Sequence, residues 1–294
     1  MYGARRLLDV GWVAILPNPT ETMNLRTRIV LLALLCMPLT ARAEFVPGPI
    51  DDKGAFTFVF ENDILGALGT DQHYTQGTRL SYLSGEERVW NWVKSIAHKV
   101  PFYPENGRMR STWSLGQNLY TPEDIKTAEL VEDDRPYAGW LYAAVGLLTD
   151  SSRSLDAVEF SVGVVGPAAM GEELQRWFHG LIDSPDPQGW HNQLQNELTL
   201  QLFSERKWRT VWEPGWLKAI GLQTDVTPHV GGALGNVFIH AAAGGTLRIG
   251  SDLPADYGTP RIRPSLPGSE FFVPRRSFSG YFFAGLEGRG VLRN

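Results

Sequence analysis

His179 is the side chain best suited to act as a base, because an imidazole titrates near neutrality and can take a proton from water without large tuning. Gln175 stands four residues earlier, so on a helix the two project from adjacent positions of one face. An amide in that place can fix the imidazole or a carbonyl oxygen. A lone histidine is more often simply packed or exposed. Far upstream, Glu61-Asn62-Asp63 is followed a dozen residues later by Tyr74-Thr75-Gln76-Gly77. Asn62 and Asp63 offer the amide and carboxylate oxygens that suit Ca²⁺, in a site left open for water or substrate. The same residues could be no more than a hydrogen-bonded strand end. Thr75 can orient a water or a substrate oxygen, or serve only strand propensity. Arg135, in Asp134-Arg135-Pro136-Tyr137, can pair with a phosphate or with a neighbouring acid. His191 and Glu197, just after Trp190, are weaker candidates. Neither a Gly-x-Ser-x-Gly elbow nor a His-Glu-x-x-His motif occurs.

The elements that must carry these groups are mostly strands. Glu61-Asn62-Asp63 ends the alternating run Phe56-Thr57-Phe58-Val59-Phe60, and Tyr74-Thr75-Gln76-Gly77 opens Thr78-Arg79-Leu80-Ser81-Tyr82-Leu83. Asp and Asn are poor strand formers, so their place at such ends needs a reason. Nine strands are expected, near residues 55–63, 75–84, 111–120, 138–149, 155–165, 195–204, 223–233, 237–249 and 278–291. Gly171 to Ile182 breaks the pattern and reads as a short loop helix, with Glu172 and Glu173 in its first turn. Leu174, Phe178 and Ile182 fall four apart and form an apolar stripe.

Met23 to Arg28 is a short basic segment, Ile29 to Leu39 an apolar core, and Ala41-Arg42-Ala43 a small-x-small cleavage pattern. Residues 23–43 therefore read as a signal peptide, with residues 1–22 a mis-assigned extension and residues 44–294 the barrel domain. The apolar run is too short for a transmembrane anchor. Cys36, the single cysteine, lies inside that run, so the mature chain has no disulfide or thiolate site. The chain holds 10 Trp, 9 Tyr, 14 Phe and 31 Gly among 294 residues. Secretion, alternation and aromatics together point to an all-β antiparallel barrel in the outer membrane of a Gram-negative cell. A secreted β-sandwich shares the alternation and is the soluble alternative. A net charge of −5 leaves no nucleic-acid footprint.

The motifs Glu61-Asn62-Asp63, Tyr74-Thr75-Gln76-Gly77, Gln117-Asn118-Leu119-Tyr120-Thr121-Pro122, Asp134-Arg135-Pro136-Tyr137-Ala138-Gly139, Gly166-Pro167 and the Gln175–His179 helix occur in one order across the mature chain. In this the chain resembles the outer-membrane lipid A 3′-O-deacylases, the LpxR-like group. The resemblance implies a twelve-stranded, monomeric, Ca²⁺-dependent barrel acting on lipid A of lipopolysaccharide. It implies His179 as general base, with Asn62, Asp63, Thr75 and Gln175 grouped around it and Asn62 and Asp63 holding either the cation or the histidine. Lys126 stands near the place of a phosphate-contacting basic pair, but Thr127 follows it. Against twelve strands, about three are missing after Val291-Leu292-Arg293-Asn294, and the chain as it stands is not expected to insert stably. A porin or structural barrel, and a barrel phospholipase, are the alternatives.

Overall fold

The alternation becomes a sheet whose two sides are reversed relative to those of a water-soluble protein. The computed structural model describes residues 10–15, 53–62, 75–86, 88–97, 99, 104, 107–132, 134–151, 154–211, 214–253, 256–257 and 280–293, and of residues 10–15, Asn62 and Val211 the backbone alone. The strands are β1 (Val10–Ile15), β2 (Ala55–Asn62), β3 (Gln76–Leu83), β4 (Arg108–Tyr120), β5 (Ala138–Asp150), β6 (Ser154–Val165), β7 (Glu197–Trp208), β8 (Thr210–Val211), β9 (Gln223–Gly235), β10 (Ile239–Ser251) and β11 (Gly280–Arg293). The helices are α1 (Asn91–Ala97), α2 (Gly171–Ile182) and α3 (Gly215–Ala219). Strands β2 to β7 and β9 to β11 pair with their neighbours in antiparallel order, and β8 pairs with β9. These nine match the nine expected. Beyond them, Val10–Ile15 runs parallel to β11, from Val10 opposite Phe282 to Ile15 opposite Glu287.

Side-chain parity decides the environment. Phe56 and Phe58 on β2, Leu115 on β4, Phe160 on β6 and Leu198 and Leu200 on β7 are exposed. Their alternating neighbours Ser114, Glu159, Ser161, Thr199 and Gln201 are buried. Apolar outside and polar inside is the pattern of a membrane barrel, and it rules out the sandwich, whose apolar faces pack inward. Seven strands run 12–14 residues, enough to cross a bilayer core, which takes about 9–11 residues when tilted. Exposed aromatics flank this band. Trp90 and Trp92 at α1 and Trp216 on α3 lie at the β3–β4 and β7–β9 end, and Trp177 on α2 lies at the other. Such girdles sit at membrane interfaces because an indole is apolar with one polar edge.

The inner face is packed with ion pairs. Arg79 on β3 pairs with Glu159 on β6 at 2.5 Å and donates to Ser81 and Ser114. Arg248 on β10 pairs with Asp225 on β9 and with Asp256. Trp140 stacks on Tyr142 at 4.3 Å, and the Trp140 indole donates to Thr199 Oγ1. In a water-filled pore these side chains would be wet, yet Arg79, Glu159 and Arg248 are 0–2% exposed. That packing argues against the porin alternative.

Candidate active site on the outer wall

At the end of β6 the chain must turn sharply back onto the sheet. Gly166 does this at φ 105, where an added Cβ would lie 2.6 Å from the backbone of Gln195. The single turn Pro167–Ala169 follows, then Met170 at φ 54, and α2 starts at Gly171. It stops at Asp183, again left-handed, whose N–H donates to the His179 carbonyl. Gln117 Nε2 on β4 donates to the Ala169 carbonyl at 2.6 Å, which pins the helix start to the sheet. Gln117 and Leu119 share the parity of exposed Leu115. The helix therefore lies against the outside of the barrel near its rim.

The buried side of α2 is Gly171, Gln175 and His179. Leu174 packs against Leu119, Tyr137 and Trp190, and the Phe178 ring meets Phe60 of β2 at 5.5 Å. Ile182, the third member of the expected apolar stripe, is exposed. So are Trp177 and Leu181, which extend the apolar wall outward.

His179 Nδ1 lies 2.6 Å from the carbonyl oxygen of Pro185. A carbonyl can only accept, so Nδ1 carries a hydrogen, and the lone pair of a neutral ring in this place is on Nε2. One turn earlier, Gln175 Oε1 accepts from the Trp190 indole N–H at 2.7 Å. Gln175 Nε2 is buried with no hydrogen-bond partner among the described residues. Trp190 itself packs on Tyr137 at 5.0 Å. Pro185 and Trp190 carry no motif in the sequence; only their contacts reveal them.

The other expected residues fall as follows. Asn62 closes β2 in register with Gln76, two positions beyond Phe60. Asp63 lies outside the described residues. Thr75 Oγ1 bonds Thr121 Oγ1 at 2.6 Å, and Thr75 N–H donates to the Leu119 carbonyl, tying the start of β3 to the residue beneath α2. The Phe60–Phe178 contact thus brings the histidine helix to the rim where β2 ends and β3 begins. Arg135 lies over the Tyr120 ring at 5.1 Å. Burial lowers its pKa, opposed by Tyr120 and Asp134. Lys126 is exposed on the same β4–β5 loop. His191 is exposed, and Glu197 accepts from Asn236.

That loop is stapled to the segment after α2. Gln188 N–H donates to the Ile125 carbonyl, Asn192 Nδ2 to that of Ala128, and Leu194 N–H to that of Tyr137. The Tyr137 hydroxyl donates to Ile125, and burial pushes its pKa up, so it stays a neutral donor. Asp124 accepts from Lys126 N–H and Thr127 Oγ1, which hold its carboxyl below the usual range. Among the described residues no group of three or more His, Cys, Asp or Glu side chains could hold a metal ion.

The family model for outer membrane protein LpxR matches residues 29–294. The chain belongs to the LpxR family. The match takes in β2 to β11 and all three helices and leaves out β1. The solved structure of LpxR from Salmonella typhimurium is similar over 82% of this chain and 78% of that one, with a TM-score of 0.61 and 18% identity. At that identity the likeness speaks for the LpxR barrel fold. No curated protein matches.

Proposed function

We propose that this LpxR-family barrel is an esterase that removes the 3′-acyloxyacyl chain of lipid A in the outer membrane, with His179 as general base. The observation that carries the reading is the 2.6 Å contact of His179 Nδ1 with the Pro185 carbonyl oxygen, on a helix clamped to the lipid-facing wall. A site on that wall is reached sideways from the bilayer, and the apolar outward face of α2 suits acyl chains.

In the proposed reaction Nε2 takes a proton from water as the water oxygen bonds to the ester carbonyl carbon. The tetrahedral intermediate then collapses, breaking the bond to the sugar oxygen. The imidazolium returns its proton to that oxygen, which leaves a free hydroxyl and a carboxylic acid. The Pro185 carbonyl keeps the ring oriented in both protonation states, since it accepts from Nδ1–H throughout. Ca²⁺ is the proposed cofactor: the oxygens of Asn62 and Asp63 are of the hard type it favours, and when bound it would offset charge on the carbonyl oxygen. Arg135 and Lys126, on the loop stapled beside α2, are proposed to meet the lipid A phosphates. Thr75 holds the strand ends beneath.

The test is mass spectrometry of lipid A from cells producing the full-length protein or His179→Ala. Loss of one acyloxyacyl chain only with the unaltered protein supports the reading. Loss that survives the substitution removes His179 from the mechanism. Unchanged lipid A together with cleaved glycerophospholipids would make the barrel a phospholipase instead.

A further inference from the structure

Gln175 is 1% exposed, and its two amide atoms are treated differently. Oε1 accepts from Trp190, while Nε2 has no partner among the described residues. An indole N–H only donates, so the atom facing it must be the amide oxygen, and the flip of the amide is settled. Nε2 is then held with its hydrogens unused, on the helix face that carries His179 one turn later. A buried donor left unpaired costs stability, and such groups in native proteins call for a reason. The indole that holds the amide is itself fixed. It is 1% exposed, packed on Tyr137, and so close to Gly171 that an added Cβ would come within 2.7 Å of Cη2.

We propose that Trp190 is a positioning residue that locks the Gln175 amide, so that Nε2 donates to the carbonyl oxygen of the scissile ester. This rests on the esterase reading of the His179 face. The orientation of the amide is set before substrate arrives, so the amide need not turn as charge develops on that oxygen.

The experiment is a double-mutant cycle on the detergent-solubilised full chain with lipid A as substrate, folded protein being confirmed by heat-modifiable gel migration. Gln175→Ala is expected to lower kcat about 100-fold, in the range seen for an oxyanion donor. Trp190→Phe keeps an aromatic side chain but loses the N–H, and is expected to lower kcat about tenfold with KM nearly unchanged. The pair together should be no slower than Gln175→Ala alone, because the indole acts only through the amide. A wild-type rate in Trp190→Phe, or losses that multiply, overturns the proposal. Should Trp190→Phe fail to fold, Gln175→Glu decides at a pH where its carboxyl is ionised: it keeps the acceptor for the indole, has no hydrogen to donate, and must be as slow as Gln175→Ala. A wild-type rate there overturns it equally. An active His179→Ala sinks the esterase reading and this inference together; a dead His179→Ala beside a wild-type Trp190→Phe sinks this inference alone.

Discussion

Two glycines in one helix should respond to the same substitution with opposite signs. Gly180 sits near the end of α2 with nothing within 4 Å of where a Cβ would be. Alanine there gains helix propensity and is expected to stabilise α2 by about 0.5–1 kcal/mol. Gly171 sits at the helix start, where a Cβ would lie 2.7 Å from Trp190 Cη2 and 3.0 Å from Leu119 Cδ2. Neither neighbour yields cheaply. The Trp190 ring is held by Gln175 and Tyr137, and Leu119 is fully buried in the wall. Overpacking of this kind costs about 1–3 kcal/mol, which outweighs the propensity gain and leaves Gly171→Ala a net loss of roughly 1–2 kcal/mol. The readout is hydrogen–deuterium exchange of the α2 amides in the folded, solubilised protein. Exchange should quicken by about tenfold in Gly171→Ala and slow by about two- to fivefold in Gly180→Ala. Equal slowing in both variants would mean that the helix does not rest on Trp190, and the site as described would fail.

Arg79→Met removes the partner of a buried carboxylate and is expected to cost about 3–5 kcal/mol, seen as a lower urea midpoint of the folded barrel. Adding Glu159→Gln should restore a good part of it, since the stranded charge is then gone; strictly additive losses would contradict the pairing. The Asp124 carboxyl is held below its ordinary value by Lys126 and Thr127, so its contribution to loop order is present above the unfolded pKa, near 3.8, and is lost as pH falls through the lower folded value. Pepsin nicking of residues 121–132, taken as the ratio of the unaltered protein to Asp124→Asn at the same pH, should therefore rise below that window, and a ratio that does not change with pH would contradict the assignment. Chelation of Ca²⁺ should abolish deacylation by the unaltered protein and re-addition restore it, whereas activity that persists under chelation would remove the ion from the proposal.

The strands and the loop helix were legible because alternation and helical spacing are local. The side of the helix that faces the protein was legible only in part. In water an apolar stripe marks the buried face, and on that rule Leu174, Phe178 and Ile182 should go inward together. Here the outward face meets lipid, so apolar Trp177, Leu181 and Ile182 belong outside, while the close-fitting Gly171 and the polar Gln175 and His179 turn to the wall. Hydrophobicity loses its sign in that setting, and polarity marked the wall-facing side of the helix better than hydropathy did. The lumen pairs were out of reach for another reason. Arg79 and Glu159 are 80 residues apart, and nothing links them until four strands are in register. Trp190 was missed because its contact with Gln175 is a single hydrogen bond across a loop. The short helices Asn91–Ala97 and Gly215–Ala219 were missed because too few residues carry the period.

The most direct test of the hydrolytic account is to run the reaction in ¹⁸O-labelled water and weigh both products. Attack on the ester carbonyl by a water that His179 deprotonates places the label in the released acid and leaves the sugar hydroxyl unlabelled, with no release from His179→Ala. Label in the sugar hydroxyl, or labelled acid from His179→Ala, would contradict it.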